Sequence, residues 1–289
     1  MRILIMGGDG MIGHQLLRQW RARHDVRVSL RRDLSAYTEF DGLFTVNNTY
    51  CGIDMGRSDD QISIFAEFRP EAVINTVGIV KQQAAAKASI PSIEINALFP
   101  HKLARICKAA GARLIHLSTD CVFSGKVGNY LETDMADAED LYGKTKYLGE
   151  VHDDHCLTVR TSAIGSELSR KVGLLEWFLA QKGRVRGYKH AIYSGFTTIE
   201  LSRIIELMLT RFPAAHGLYH VSSDPINKFE LLSLVRDKLD VPVEIEPDDG
   251  FHCDRSLDSN RFRKQFGYRP PSWQEMINEF ATDYRESKS

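Results

Sequence analysis

The sequence predicts an α/β protein: a doubly wound parallel sheet carrying a smaller C-terminal lobe. Three observations lead there. Residues 2–6, 26–30, 72–77 and 113–117 are short apolar runs of the kind buried on both faces of a parallel sheet. Helical patterns at 12–23, 61–68 and 93–110 fall between them and give a βαβ rhythm. The glycine-rich segment GGDGMIG follows the first run directly and opens the first helix.

The remaining elements follow in order. Residues 142–152 read as the next helix and 157–161 as a further strand. An apolar helix is expected at 174–180 and a strand at 184–188. Alternation then resumes with a helix at 198–209, a strand at 217–222 and a helix at 228–239 capped by Asn227, whose short polar side chain suits that position. Past Pro247 the pattern loosens, and 248–259 reads as polar and turn-like. Trp273, Met276, Ile277 and Phe280 form the apolar stripe of a final amphipathic helix. The expected organisation is a nucleotide-binding domain over 1–160, with 188–222 returning to it, and a smaller substrate-binding lobe from 161–187 and 223–289.

Composition excludes several classes of function. With 289 residues and 43% hydrophobic content the chain can bury an ordinary core. Its 37 basic and 38 acidic residues leave a net charge of -1, so no global field favours nucleic acid or an anionic membrane. The longest apolar stretches fall short of a spanning helix, and MRILIMGG reads as a buried strand rather than a signal peptide, so a cytoplasmic protein is expected. Cys51, Cys107, Cys121, Cys156 and Cys253 form no CxxC pair and have no histidine at zinc-finger spacing. Neither structural zinc nor a disulfide framework is expected, and no metal ligand set is apparent. The oligomeric state stays open, a homodimer being one option.

Gly7, Gly10 and Gly13, with Met11 and Ile12 between the last two, place small residues and helix-opening amides where a pyrophosphate can approach the backbone. Taken alone, the same glycines serve a tight turn equally well; the downstream Tyr142 and Lys146 decide for a dinucleotide. The second strand ends in Arg31 and Arg32 where an acidic residue would hold an unphosphorylated ribose. A planar, permanently charged fork suits a 2′-phosphate, which points to NADPH; neighbouring Asp33 keeps NADH as the alternative. Asp54 and Met55, where a third strand is expected to end, are candidates for the adenine end, a turn-forming aspartate being the competing reading.

Tyr142 and Lys146 stand four residues apart, so on a helix they share one face. A phenol titrates near ~10 and exchanges protons poorly at neutral pH unless a nearby cation stabilises its phenolate. Lys146 supplies that cation, and the pair can then protonate an alkoxide formed by hydride transfer.

In order, GGDGMIG, INTVG (74–78), STDCVFSG (118–125) and YGKTK resemble the extended short-chain dehydrogenase/reductases, a family built on a Rossmann-type sheet. The nearest likeness is to the dTDP-4-dehydrorhamnose reductases, and SGFTT, GLYHVSS and RSLDSNRF extend it over nearly the whole chain. The resemblance implies Tyr142 as catalytic acid, Lys146 as the residue that lowers its pKa and holds the nicotinamide ribose, and Thr119 as a hydrogen-bond donor to the substrate carbonyl. Asp120 would orient the loop, and Ser118 would share the hydroxyl role. It places Asn75 and Gly78 beneath the cofactor, Asn96 in support of the site, and Arg160, Thr161 and Ser162 beside the nicotinamide or substrate. Lys81, Cys121, Ser162, Trp177, Arg184 and Arg255 are candidates for the substrate.

The implied activity is NADPH-dependent reduction of the 4-keto group of a nucleotide-activated 6-deoxysugar in surface polysaccharide biosynthesis. Two departures leave alternatives. Cys121 replaces a tyrosine common in those reductases and is similar to a cysteine of GDP-fucose synthases, which suggests a bifunctional epimerase/reductase; RTSAIGSE carries no histidine partner, although His190 follows. A non-catalytic NADP-binding regulatory subunit is the alternative from another class. A dehydratase fits less well, because no acid follows Asp120.

Overall fold

The computed structural model describes residues 1–40, 42–80, 88–169 and 171–287. The chain separates into two compact units, Met1–Ser118 with Glu139–Val159 and Ile204–Leu218, and Thr119–Ala138 with Arg160–Arg203 and Tyr219–Ser289. The elements are β1 (Arg2–Met6), α1 (Met11–Trp20), β2 (Asp25–Ser29), β3 (Thr49–Tyr50), α2 (Ser58–Phe68), β4 (Ala72–Asn75), α3 (Ser89–Ser92), α4 (Phe99–Ala110), β5 (Arg113–Thr119), α5 (Leu141–Leu148) and β6 (Cys156–Thr161). They continue as β7 (Ala163–Ile164), α6 (Leu174–Leu179), β8 (Gly183–Tyr193), β9 (Phe196–Thr197), α7 (Thr198–Arg211), β10 (Gly217–His220), β11 (Ile226–Asn227), α8 (Lys228–Leu239), β12 (Val243–Asp254), α9 (Asn260–Phe266) and α10 (Trp273–Glu286).

A seven-stranded sheet in the order β10-β6-β5-β4-β1-β2-β3 confirms the doubly wound fold. β1 is paired in parallel on both sides, Ile3 with Val26 of β2 and with Ala72 of β4. Ile3, Leu4, Ile5 and Met6 are accordingly buried without a solvent-facing alternation. The chain winds outward from β1 in one direction through β2 and β3, and in the other from β4 through β5 and β6. This reversal is the topological switch point at which open α/β sheets bind ligands beyond their strands' carboxyl ends. One layer of the core joins Leu4, Met6 and Val73 of the strands to Phe65, Phe68, Phe99, Leu103 and the buried thiols Cys107 and Cys156.

The expected helix at 93–110 is longer and less regular. It begins with α3 and passes through a π-helical stretch, Ile93–Leu98, before α4. Pro100 has no N–H to donate to the Asn96 carbonyl four residues back, and its ring crowds that carbonyl in a regular α-helix, so widening the turn relieves both. The expected helix at 142–152 stops at Leu148: the Gly149 amide turns back onto the carbonyls of Thr145 at 3.1 Å and Lys146 at 3.2 Å. Gly149 also lies flush on the π-helical stretch, where a Cβ would meet the Asn96 carbonyl oxygen at 1.9 Å.

In the second unit a three-stranded sheet runs β11-β8-β12. The Asn227 cap is present, its Oδ1 accepting from the Glu230 amide at 2.8 Å. The final helix buries Trp273, Met276, Ile277 and Phe280 as its stripe predicts, and starts with a capping box between Ser272 and Glu275. The looseness expected past Pro247 is corrected. β12 continues through Pro247 and, after a register shift between Asp248 and His252, pairs in parallel with β8 as far as Asp254. It is an edge strand, where Pro costs no ladder bond on the open side, and 249–252 is exposed, so no alternation marks it in the sequence.

The Gly149 packing gives a stability prediction. Gly149→Ala should lower unfolding free energy in urea by about 1–3 kcal/mol, the usual cost of overpacking. Unchanged stability would mean that α5 and the π-helical stretch separate at no cost.

Candidate active site

The loop after β1 is shaped by what glycine lacks. Gly7 adopts φ +87°, and the helix start folds back so tightly that a Cβ on Gly13 would sit 2.1 Å from the Gly7 carbonyl oxygen. The Gly10 amide donates to that oxygen at 3.1 Å, and the Thr76 hydroxyl, just past β4, donates to the Met6 carbonyl at 2.8 Å and the Gly7 carbonyl at 3.2 Å. Gly10 is the N-cap of α1 and brings no side chain to satisfy the first amides, so those of the Met11–Gly13 turn face outward with the positive end of the helix dipole. The missing Cβ atoms let the helix start pack onto the end of β1, and the uncapped amides left in this glycine cradle fit a pyrophosphate.

Arg31 and Arg32 follow β2 and are exposed. The Arg32 guanidinium lies 5.0 Å over the Tyr37 ring, while the Tyr37 hydroxyl donates to Asp9 of the glycine loop at 2.9 Å. Asp54 lies four residues beyond the end of β3, rather than at its end. Its side chain accepts from the Gly56 amide at 2.9 Å and its carbonyl from Gln61 at 2.9 Å, which is the geometry of a turn-former, and Met55 packs against the core. Asn75 is buried, with its amide nitrogen 3.0 Å from His116 Nδ1 and its oxygen accepting from the Val77 amide at 3.1 Å. Gly78 leaves open space, the nearest atom to a Cβ there being Asn96 Oδ1 at 3.5 Å.

Tyr142 and Lys146 stand one turn apart on α5, which Asp140 caps by accepting from the Gly143 amide at 2.8 Å. Asn96 ties this helix to the loop after β4. Its Oδ1 accepts from the Ile79 amide at 2.8 Å, and its Nδ2 donates to the Ile79 carbonyl at 3.0 Å and to Thr145 at 3.3 Å. Lys146 is buried and donates from Nζ to the Leu117 carbonyl at 2.7 Å. Burial pushes its pKa down to about 8, while Glu150 pulls the other way. Ser118 does not offer a spare hydroxyl proton as the sequence suggests, because it donates to Glu150 at 2.7 Å. Glu150 went unnoticed in the sequence, although its spacing from Lys146 is the signal that pairs Tyr142 with Lys146.

In the second unit Thr119 opens the STDCV turn. Its hydroxyl donates to Asp120 at 3.1 Å and accepts from the Cys121 amide at 3.1 Å. Phe123 stacks on Tyr130 at 4.1 Å, and Arg160 lies 5.1 Å over Phe123 while its Nη1 stands 3.2 Å from His220 Nε2, so Arg160 serves as a structural cation. Arg255 donates to the carbonyls of Phe123 at 2.8 Å and Ser124 at 3.3 Å. Arg184 is exposed and pairs with Glu244 at 2.8 Å and Glu246 at 3.1 Å across β8 and β12. Ser162 is partly buried, with its carbonyl accepting from the Phe196 amide, and Trp177 is exposed on α6. Lys81 lies outside the described residues. His190 stacks on His252 at 4.4 Å and stands 3.3 Å from Asp249.

The family model of the RmlD substrate binding domain matches residues 1–286. The chain belongs to this family. It is 25% identical to the spore coat polysaccharide biosynthesis protein SpsK of Bacillus subtilis, over 98% of this chain and 97% of that protein. It is 26% identical to the dTDP-4-dehydrorhamnose reductase of Escherichia coli, over 98% of this chain and 99% of that one. The fold is that of the Bacillus anthracis dTDP-4-dehydrorhamnose reductase solved in complex with NADP, with a TM-score of 0.78, 23% identity, and 98% and 99% of the two chains covered. It is shared with the Thermotoga maritima UDP-glucose 4-epimerase solved with UDP-glucose, at a TM-score of 0.80, 17% identity and full coverage of both chains. Among the described residues of this RmlD-family chain no cluster of three metal-ligating side chains occurs, and no helix is long and apolar enough to cross a membrane.

Cys121, a substrate candidate in the sequence, has its thiol pushed up to about 12, by burial first and then by Asp120. In the folded protein at pH 8, iodoacetamide should therefore label Cys121 at least ~100-fold more slowly than in the urea-unfolded chain. Peptide mass spectrometry reads the rates, and comparable rates would show a reactive thiolate.

Proposed function

We propose that this RmlD-family oxidoreductase uses NADPH to reduce the 4-keto group of a nucleotide-activated 6-deoxysugar, in the cytoplasm, toward a surface polysaccharide. The observation that carries the reading is Lys146, a buried ammonium held at the end of β5 on the helix face it shares with Tyr142. The family and the names of its full-length relatives support the substrate class. A homodimer is the assembly to test.

The glycine cradle and the amides of Met11, Ile12 and Gly13 would hold the pyrophosphate, Arg31 and Arg32 the 2′-phosphate, and Asp54 and Met55 would border the adenine. Asn75 and Gly78 would form the floor beneath the dinucleotide. NADPH, when bound, supplies hydride. The negative charge that develops on the ketone oxygen is met by two donors, the Thr119 hydroxyl and the Tyr142 phenol, and the phenol gives up its proton as the alkoxide forms. Lys146 stabilises the resulting phenolate until Tyr142 takes a proton back from solvent. Asp120 now accepts the one Thr119 hydroxyl proton and so holds the turn, and that hydroxyl must rotate away from Asp120 to donate to the ketone. Ser162 is the more available of the substrate candidates, since Arg184 and Arg255 are engaged within their own unit and the Cys121 thiol is buried against Thr119 and Asp120. A thiol titrating near about 12 does not favour the epimerase reading, which needs Cys121 to take a proton at neutral pH.

Tyr142→Phe should lower kcat with a dTDP-, UDP- or GDP-linked 4-keto-6-deoxysugar by ~10²–10⁴, the range for loss of a positioned acid, and leave NADPH affinity nearly unchanged. Stopped-flow NADPH oxidation and fluorescence titration separate the two; retained turnover would sink the mechanism. Product NMR on the same sugars names the substrate, and NADPH binding without turnover on any of them would favour the regulatory subunit. Replacing Arg31 and Arg32 together by alanine should weaken NADPH by about tenfold or more and NADH little, since only NADPH presents the 2′-phosphate. Equal losses would refute the assignment.

A further inference from the structure

Glu150 closes the YGKTKYLGE segment, two residues past the end of α5, and is 4% exposed, as is Lys146 four residues earlier. A carboxylate and an ammonium removed from water at that depth are costly unless each is matched. One dipeptide of β5 serves both. The Leu117 carbonyl accepts from Lys146 Nζ at 2.7 Å, and the hydroxyl of Ser118, the next residue, donates to Glu150 Oε1 at 2.7 Å. Successive residues of a strand thus hold opposite charges carried four residues apart, one on α5 and one just past its end.

The other groups facing Lys146 are neutral or outlying. From β5 comes His116, fully buried and held well below the usual imidazole range by that burial and then by the charge of Lys146. The π-helical stretch brings the amide of Asn96, which binds Thr145. From α4, His101 reaches the Leu148 carbonyl at 2.8 Å on the exposed side. On α5 itself stands Tyr142. Glu150 is the carboxylate whose charge acts on Lys146.

We propose that Glu150 is a positioning residue whose charge, anchored beside β5 by Ser118, keeps Lys146 protonated at the end of that strand. The proposal rests on the reading of Lys146 as part of the reductase, but it concerns a property that the cofactor-free protein displays. Burial alone drives the ammonium toward deprotonation. The carboxylate opposes that drive, so its removal lowers the pH at which Lys146 loses its proton.

The test is NMR titration of the Lys146 side chain in lysine-¹³C-labelled full chain without cofactor, with Lys146→Met assigning the resonance. Glu150→Gln keeps the size and the acceptor for Ser118 but removes the charge, and the titration midpoint should fall by about 1 pH unit. Ser118→Ala keeps both charges and should leave the midpoint nearly in place. An unmoved midpoint in Glu150→Gln, or an equal fall in both variants, overturns the proposal. If Glu150→Gln does not fold, Glu150→Asp decides: withdrawing the carboxylate by one methylene should lower the midpoint by a smaller amount, and no change overturns the proposal. The alkaline limb of kcat should move in parallel. A midpoint that falls while the pH–rate profile stays fixed supports the role of Glu150 and sinks that of Lys146 in turnover.

Discussion

An ammonium in a dry interior sets the terms for this protein. Lys146 Nζ reaches the Leu117 carbonyl because β5 outruns its neighbour: the last residue of β4 pairs with His116, and the strand continues to Thr119. A carbonyl one step past that pairing is an acceptor that β4 leaves unused, and a lysine on the crossing helix can take it. The arrangement fixes the height of α5 against the sheet, and with it the phenol of Tyr142. A shift of α5 by one residue would turn both side chains by about 100° and bury neither correctly.

That single contact is made dependable by a run of hydrogen bonds within the first unit. Thr76 ties the end of β4 to the carbonyls of Met6 and Gly7, Ile79 is gripped at both its amide and its carbonyl by Asn96, and Asn96 binds Thr145 next to Lys146. Gly149 lets α5 approach the π-helical stretch as closely as backbone allows. The floor of the glycine cradle and the helix that carries Tyr142 are therefore positioned by one connected framework. Their spacing is a property of the sheet, rather than of loops that must close around a ligand.

Much of this was legible in the sequence, for physical reasons that differ by element. β1 and its neighbours announced themselves because strands covered on both faces need continuous apolar residues, and Asn227 and the stripe of α10 obey local rules that tertiary packing did not override. The edge strand β12 did not, because its stretch 249–252 is exposed on both faces and alternates nothing. The π-helical stretch was hidden since its cause, Pro100, also reads as an ordinary first-turn proline. Glu150 escaped for a different reason: a glutamate near a helix end usually lies in solvent, and only its pairing with Ser118 from another strand reveals a buried charge.

The same logic explains why charge is a poor guide to the substrate here. Arg184 and Arg255 are substrate candidates in the sequence and Arg160 is expected beside the nicotinamide or substrate, yet each is committed within the second unit: Arg160 over Phe123 and beside His220, Arg184 across β8 and β12 to Glu244 and Glu246, and Arg255 onto the carbonyls of Phe123 and Ser124. A guanidinium that spans two carbonyls organises the turn following Thr119 and Asp120, and breaking those bonds to recruit it for a ligand would return much of the binding energy as lost structure. Recognition of the nucleotide is better served by groups that do not carry the fold. Lys146 is the reverse case, because the hydrogen bond that satisfies its buried charge is also the one that aims its helix.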